Sequence, residues 1–254
     1  KYKAPYFNVL PSLPFASVLQ QMKPNGIDFP LIVKPEVGSQ GVLMRKIDNV
    51  EELEFYHNHV GVEYVVQAYV KYPMEVSLFY YRYPWEQKGN ITGFLQKVPL
   101  QVTGDGVHTL KELILMNSKS KKRLESLKMK HGANFGMVLK EGEIYKLSVA
   151  GNHNRGANFI DLKDEINDSL RAMLDDISLS INDFFYGRYD ILCDSIEELK
   201  EGKNFIILEY NGCGAEPNHF YDTGYSLRRA YLEIMMHWKK LFTISRYNHQ
   251  QGCE

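Results

Sequence analysis

Cysteine is scarce in this sequence, and long apolar runs are missing. Only three of the 254 residues are cysteines, at positions 193, 213 and 253, and they form no closely spaced pair. Their number and spacing argue against a disulfide framework or a zinc site and predict a reducing, cytoplasmic location. No apolar run approaches the roughly 18–20 residues of a membrane span, and no signal peptide is recognisable. We therefore expect no membrane partner.

An excess of charge of one sign is also missing. The 30 lysine and arginine residues are balanced by 31 aspartate and glutamate residues, which gives a formal net charge of −1. The strong positive field that nucleic-acid binding requires is therefore not expected. A hydrophobic fraction of 44% is ordinary for a globular protein. The length suits one large domain or two small ones.

The glycine-rich segment near the N-terminus lacks a following helix. An apolar strand over 31–33 is predicted to lead into the loop 36–41, and a second strand is predicted from 42 to 47. P-loop and Rossmann motifs both continue from their glycines into a helix, so this hairpin belongs to neither class. The loop could still bind a phosphate through its backbone N–H groups, with Lys34 as a point charge. An ordinary hairpin turn is the alternative interpretation.

Hydrophobic periodicity predicts strands that alternate with single helices. The strands are expected over 64–70, 74–83 and 91–98, and the helices over 49–59, 109–116, 164–186 and 226–245. This order favours an α+β fold with mainly antiparallel sheets. Because the chain begins with lysine and not with methionine, we expect an upstream segment.

Four polar residues near the C-terminus carry the strongest chemical signal. Arg188 and Asp190 lie in one apolar run that predicts a strand, and Glu209 and Asn211 lie in the next. Side chains alternate across a strand, so the members of each pair share a face. If the two strands are neighbours, two carboxylates, an amide oxygen and a guanidinium meet. Mg²⁺ prefers such oxygens and commonly binds substrate phosphates, so the pattern indicates chemistry on a nucleoside triphosphate.

Three further signals are weaker on their own. A strand that stops pairing near Gln67, Ala68 and Val70 could offer adenine a backbone donor and a backbone acceptor, and Glu75 could accept hydrogen bonds from the ribose hydroxyls. The alternative is that Glu75 is a solvent-facing strand residue.

Lys97 lies in an apolar strand, where either a phosphate pairs its charge or the side chain reaches to the solvent-exposed edge. In the polar loop 152–156, Arg155 is the candidate for substrate contact, and a self-capping turn is the alternative. The histidines are interpreted as ordinary.

Taken in order, these segments resemble the ATP-grasp superfamily from about residue 28 to residue 225. The matching motifs are FPLIVKP (29–35), the loop 38–41, the hinge 66–70 with Glu75, GRYD (187–190) and LEYNG (208–212). Two further segments, TGDGVHTLKELI (103–114) and residues 152–161, are similar to cyanophycin synthetases and bifunctional glutathione synthetases. The more general resemblance is to the D-alanine–D-alanine ligase-like branch.

The resemblance implies a role for each candidate residue. Lys34 and Lys97 would hold the ATP phosphates, and Gln67, Ala68 and Val70 would address adenine, with Glu75 on the ribose. The phosphate lid would consist of Gly38, Ser39, Gln40 and Gly41. The ligands of Mg²⁺, or of Mn²⁺, would be Asp190, Glu209 and Asn211. The catalytic residues would be Arg188, which stabilises the reacting acyl phosphate, Lys97 and Arg155.

The implied activity is a carboxylate–amine ligase that forms an amide or peptide bond between small-molecule substrates. A kinase on the same scaffold and a nucleotide-binding module without turnover are the alternatives.

The implied organisation is a connecting segment (1–28), a small subdomain (29–72) and a large subdomain (73–254). A homodimer is the commonest assembly to expect. The sequence departs from the family pattern at Gln67, where glutamate is frequent, and in the loop 212–217. The N-terminal domain usual in the family is also absent from this sequence.

Overall fold

The computed structural model describes residues 2–37, 42–148, 151, 156–181, 184–221 and 224–253. The strands in this part of the chain are β1 (Tyr6–Val9), β2 (Leu31–Pro35), β3 (Arg45–Ile47), β4 (Tyr64–Ala68), β5 (Met74–Tyr81), β6 (Asn90–Val98), β7 (Gln101–Thr103), β8 (Ile144–Lys146), β9 (Asn158–Asp161), β10 (Tyr186–Cys193) and β11 (Phe205–Asn211). The α-helices are α1 (Phe15–Met22), α2 (Val50–Val60), α3 (Leu110–Met116), α4 (Ser118–Lys121), α5 (Leu124–His131), α6 (Asp168–Ser180), α7 (Ile196–Lys200) and α8 (Leu227–Gln250). Short 3₁₀ helices cover Gly132–Asn134, Lys163–Glu165 and Asn218–Phe220.

The first sheet has four antiparallel strands in the order β1-β4-β2-β3. Its apolar face packs against α1 and α2, and Val18, Leu53 and Tyr64 are fully buried there. Helix α2 begins at a cap in which the Asn49 side chain accepts a hydrogen bond from the backbone of the first turn. Strand β1 and helix α1 come from the segment 1–28, so this N-terminal stretch supplies part of the first sheet and its core.

The second sheet has five antiparallel strands in the order β11-β10-β5-β6-β9. One face is apolar and packs against α6 and α7, with Leu78, Phe94 and Tyr189 fully buried. Because side chains alternate along a strand, the opposite face carries the residues between these apolar ones, which include Ser77 and Asp190. This polar face is where the predicted site residues meet.

A third, two-stranded sheet pairs β7 with β8 and packs against α3 and α5. Helix α3 begins at a capping box in which Thr109 and Glu112 each accept from the other's backbone. The α+β class with antiparallel sheets, expected from the sequence, is confirmed. In the part of the chain that the structure describes, no helix combines the length and the apolar character needed to cross a membrane.

Several predicted element ends were wrong. The helix expected over 164–186 covers only α6, because Asn167 caps its start by accepting from the backbone of Leu170 and the aromatic residues after Ser180 lead into β10. The strand expected from residue 42 begins at Arg45, since Leu43 takes a positive φ of 61° that interrupts extended backbone. The strand expected to reach residue 70 ends at Ala68.

Candidate active site

Strands β10 and β11 are adjacent and antiparallel, so the two C-terminal residue pairs lie side by side. Arg188 is opposite Asn211, and Asp190 is opposite Glu209. A β-bulge follows directly, because Ile191 pairs with Ile207 and Leu208 is left as the extra residue. Residues 207 and 209 would share a face in a regular strand. The bulge lets Ile207 pack against the apolar core while Glu209 stays beside Asp190.

Asp190 is the centre of the cluster and is almost fully buried. Its Oδ1 accepts from Lys97 Nζ at 2.9 Å, from Ser77 Oγ at 2.8 Å and from Arg188 Nε at 3.2 Å. Its Oδ2 accepts from the Asn211 side-chain amide at 3.3 Å. Burial by itself raises the pKa of the Asp190 carboxyl, but Lys97 and then Arg188 outweigh this effect and hold the pKa below its usual value. Asp190 is therefore an ionised, charge-paired carboxylate.

Lys97 is shared between two carboxylates. Its Nζ lies 3.2 Å from Glu75 Oε1 and 2.9 Å from Asp190 Oδ1, and its side chain is 8% exposed. The side chain therefore does not reach the solvent edge, which was one of the two interpretations of a lysine in this strand. The backbone at Gly151 covers the pair closely, because a Cβ there would lie 2.7 Å from Glu75 Oε2 and 2.8 Å from Lys97 Cβ. Gly151 thus lies directly above the Lys97–Glu75 pair.

Arg188 joins the cluster to the chain segment that follows β11. Its Nη1 donates to the backbone carbonyl of Glu216 at 2.9 Å, while Nε and Nη2 face Asp190. The Tyr221 hydroxyl donates to the Glu216 carboxylate at 2.6 Å. Both contacts position the loop 212–217, which is the segment where the sequence departs from the family pattern.

Lys34 is the candidate active-site residue that the first sheet supplies. It lies near the end of β2 and is partly buried. Burial lowers the pKa of Lys34, and the nearby Glu209 carboxylate opposes this shift. The Lys34 cation of the first sheet therefore lies near enough to the exposed Glu209 carboxylate on β11 for the two charges to interact.

The predicted adenine-binding residues belong to β4, the strand next to β2. Gln67 is almost fully buried and pairs with Ile32. The Ala68 backbone N–H already donates to the Pro5 carbonyl at 2.9 Å, and Val70 lies beyond the end of β4. The Ala68 N–H group is therefore already paired within the protein, and Val70 lies outside the sheet.

Some predicted site residues lie outside the described part of the chain, and two others were missed. The lid residues Gly38, Ser39, Gln40 and Gly41 and the substrate candidate Arg155 fall outside the described residues. Sequence reasoning missed Ser77, which donates to Asp190, and Asn218, whose side-chain amide donates to Ser77 Oγ at 3.3 Å. Ser77 alternates with Glu75 on β5, and that period of two was the available signal. Asn218 had no such signal.

The comparison with known proteins supports the class that the motifs indicate. No family model matches the sequence. The glutathione biosynthesis bifunctional protein GshAB of Clostridium perfringens is 28% identical over 137 residues, which is 48% of this chain and 18% of that protein. The GshAB protein of Desulfotalea psychrophila is 23% identical over 197 residues, which is 71% of this chain and 25% of that protein. The chain thus spans a quarter or less of the length of these relatives.

Two solved structures align with most of the chain at low identity. A bifunctional glutathione synthetase from Pasteurella multocida has 16% identity and a TM-score of 0.49, over 94% of this chain and 34% of that chain. A D-alanine–D-alanine ligase from Bacillus anthracis has 14% identity and a TM-score of 0.46, over 96% of this chain and 61% of that chain. The resemblance to bifunctional glutathione synthetases, expected from the motifs, is confirmed by the sequences of the two GshAB proteins.

Proposed function

We propose that this chain carries the nucleotide-binding and catalytic part of an ATP- and Mg²⁺-dependent carboxylate–amine ligase. The observation that carries the proposal is the convergence of Lys97, Arg188, Asp190 and Asn211 beside Glu209, with Lys34 on the facing sheet. Phosphoryl transfer needs cations for the phosphate oxygens and hard oxygens for the metal, and this cluster offers both. The sequence similarity to glutathione biosynthesis proteins supports a ligase.

The donor chemistry of the cluster fits Mg²⁺. Asp190, Glu209 and Asn211 offer two carboxylates and one amide oxygen, and they would hold the ion. Mn²⁺ accepts the same oxygen donors. When bound, the ion would neutralise negative charge on the phosphates. Glu209 is the most exposed of the three and is the member best placed to meet a ligand that enters from solvent.

The two lysines and Arg188 would act in different steps of the reaction. Lys34 and Lys97 would neutralise the phosphoryl oxygens while the substrate carboxylate attacks the γ-phosphorus of ATP and ADP departs. An amine then attacks the acyl phosphate, phosphate departs, and an amide bond remains. Arg188 would stabilise the tetrahedral oxyanion of that second step. Neither step requires a nucleophile from the protein.

The proposal also assigns residues to the adenine and the ribose of ATP. Gln67, Ala68 and Val70 would contact adenine, and Glu75 would accept from the ribose hydroxyls. The lid at 38–41, the substrate contact of Arg155, and the division into a small subdomain (29–72) and a large subdomain (73–254) remain proposals from the sequence. The connecting segment 1–28 is part of that division.

ADP release with MgATP tests the proposal directly. The panel consists of amino acids and short peptides, supplied singly and in pairs, because glutathione biosynthesis joins amino acids through amide bonds. We expect release that depends on a pair of substrates, together with a condensed product detected by mass. Glu209→Ala should lower turnover by more than about 100-fold through loss of a metal ligand. The matched control is Glu54→Ala, at an exposed position on α2, which should keep full turnover.

The same assay separates the alternative functions. Hydroxylamine should trap an acyl phosphate from a ligase, whereas a kinase would transfer the phosphoryl group to a hydroxyl and give no hydroxamate. A binding module would bind MgATP without releasing ADP from any pair. Full ADP release by Glu209→Ala would contradict the metal assignment.

We also propose a cytoplasmic location and a homodimer. The cysteines at 193, 213 and 253 are all free, which is compatible with a reducing compartment. Sedimentation of the purified chain would test the homodimer, and a monomer at micromolar concentration would contradict it.

A further inference from the structure

A second cluster of polar side chains lies next to the candidate active site and is not part of the proposed ligase chemistry. It consists of His219, Glu233 and His237 and is called the His–Glu–His cluster below. His219 belongs to the 3₁₀ helix Asn218–Phe220, whereas Glu233 and His237 lie one turn apart on α8. The fold therefore brings together two residues at i,i+4 spacing and a third from a different element.

The spacing of the three donor atoms suits a metal ion. Nε2 of His219 lies 3.3 Å, and Nε2 of His237 lies 3.4 Å, from the same Glu233 Oε1 atom. One donor atom from each residue lies within 4.8 Å of the other two. Zinc ligands at about 2.0–2.1 Å in a tetrahedral arrangement are about 3.4 Å apart. Two of the three separations already match that value.

The cluster is buried and its second histidine is oriented by a further partner. His237 is fully buried, and its Nδ1 lies 3.1 Å from the Tyr186 hydroxyl. The Phe79 ring meets the His237 ring edge-to-face at 4.6 Å. Metal-binding histidines commonly hold their second ring nitrogen in such a hydrogen bond, which fixes the tautomer and leaves Nε2 to face the ion.

The Nε2 atom of His237 gives an independent indication. Within the described residues this buried atom makes no well-aligned hydrogen bond, and its polar neighbour is Glu233 Oε1 at 3.4 Å. Buried polar atoms are nearly always satisfied, so an atom of this kind requires an explanation. A cation between the imidazoles and the carboxylate would satisfy it.

Strand β6 makes room for the third ligand. The His219 ring lies against Gly93, where a Cβ would be only 2.2 Å from Nδ1 and 2.5 Å from Cγ of the ring. Glycine inside a strand weakens it and often marks a close approach. Any larger residue at position 93 would displace the imidazole ring. The glycine therefore leaves the space that the buried His219 side chain occupies.

We propose that His219, Glu233 and His237 bind one divalent transition-metal ion, with Zn²⁺ the expected occupant and water the fourth ligand. Two imidazoles and one carboxylate suit zinc better than they suit Mg²⁺, which prefers oxygen ligands alone. The argument against zinc from the scattered cysteines applies to thiolate sites and leaves this donor set untouched.

The position of the cluster gives the ion a structural role. Asn218, the neighbour of His219, donates to Ser77, and Ser77 donates to Asp190. An ion at the His–Glu–His cluster would therefore fasten the segment 218–220 to α8 and hold Asn218 in place beside the candidate active site. The ion would take no part in phosphoryl transfer.

The test is metal binding by the full chain, measured without ATP or substrates. Protein stripped with a chelator is titrated with Zn²⁺ and, separately, with Co²⁺, whose visible absorption distinguishes four-coordinate from six-coordinate sites. We expect one equivalent of either ion, four-coordinate Co²⁺ bands and a rise in Tm with Zn²⁺. Excess Mg²⁺ should not displace the bound ion.

Matched variants assign the ligands. His237→Gln and Glu233→Gln should weaken Zn²⁺ binding by more than about 100-fold, and Tyr186→Phe, which removes only the orienting hydroxyl, by about 10–100-fold. The control His249→Gln, at an exposed position on the same helix, should bind as the parent does.

Two outcomes would overturn the proposal. One is a stripped protein that takes up no Zn²⁺, in which case a proton shared between Glu233 and an imidazole accounts for the cluster. The other is unchanged binding in both Gln variants, which would place the ion elsewhere. If a Gln variant does not fold, the parent Co²⁺ spectrum and the Tyr186→Phe titration still decide. None of these readouts depends on ligase activity.

Discussion

At the scale of single residues, Asp190 determines the electrostatics of the candidate active site. Burying a carboxylate costs several kcal/mol unless it is paired and hydrogen-bonded. Asp190 and Glu75 supply two negative charges, and Lys97 and Arg188 supply two positive ones. The buried part of the cluster is therefore neutral as a unit, and each charge depends on the others.

Removing the Asp190 charge should destabilise the protein. Asp190→Asn leaves Lys97 buried with Glu75 as its remaining carboxylate partner, so we expect the free energy of unfolding to fall by about 3 kcal/mol. Urea denaturation measures the change. Adding Lys97→Met to the Asn variant should recover part of the loss, because it removes the excess positive charge that Asp190→Asn leaves and restores a one-to-one balance of Glu75 with Arg188. Equal stability of the single variant and the parent would contradict the assigned pairing.

The lowered pKa of Asp190 predicts a pH dependence of stability. The ionised form is favoured in the folded state, so its stabilisation is present above the unfolded-state pKa of about 3.9 and is lost as the pH falls through the lower folded-state value. We expect the stability gap between parent and Asp190→Asn to be constant near neutral pH. The gap should shrink below about pH 4. A gap that widens toward acid pH would exclude a lowered pKa.

At the scale of secondary-structure elements, the contact between β10 and β11 shapes the predicted metal site. The bulge at Leu208 separates an apolar half of β11 from a polar half. Near the start of β10, Gly187 allows the backbones of β10 and β11 to approach closely. A Cβ at this position would lie 2.2 Å from the Asn211 backbone oxygen and 2.8 Å from Phe184 Cζ. The two strands therefore depend on a glycine at this position for their spacing.

Gly187→Ala should push β11 away from β10. The methyl group meets backbone, which cannot move aside easily, so we expect a loss of about 1–3 kcal/mol in stability. ADP release should fall as well, because Asn211 is displaced. Gly212→Ala is the matched control, since a Cβ at Gly212 meets nothing within 4 Å. Thermal unfolding and turnover of the two variants should differ clearly, and equal behaviour would refute the close-approach argument.

At the scale of the whole molecule, the proposed ligand site lies between two sheets. Lys34 comes from the four-stranded sheet, and Glu209 comes from the five-stranded sheet. A triphosphate with its metal would contact both, so binding should stabilise the folded protein as one unit.

MgATP should therefore raise the melting temperature. At a concentration 100 times Kd the stabilisation is about 2.7 kcal/mol, which corresponds to a rise of roughly 5–10 °C for a chain of this size. Lys34→Met should reduce the shift, whereas Lys23→Met, at an exposed position just after α1, should leave it unchanged. Mg²⁺ without nucleotide serves as the blank. An unaltered shift in Lys34→Met would remove Lys34 from the phosphate site.

Much of the architecture follows from local pattern, but several boundaries do not. Period-two alternation located β5 and β6 within two residues at either end, and capping chemistry located the start of α3 at Thr109. The helix predicted to extend from 164 to 186 failed at both ends. Asn167, and not Asp164, is the cap of α6, and Phe184, which follows the helix, packs against Tyr189 and Tyr210. Such competition between local and tertiary preferences cannot be read from one segment.

The sequence by itself determined the fold class, the alternation that puts Arg188 with Asp190 and Glu209 with Asn211, and the resemblance to ATP-grasp ligases. Each of these depends on neighbours along one strand or on the order of motifs. The tertiary structure decided the pairing of Lys97 with Glu75 and Asp190, the bulge at Leu208, and the meeting of His219 with α8. These features join residues far apart in the chain, and their distances depend on packing between sheets and helices, which no local pattern encodes.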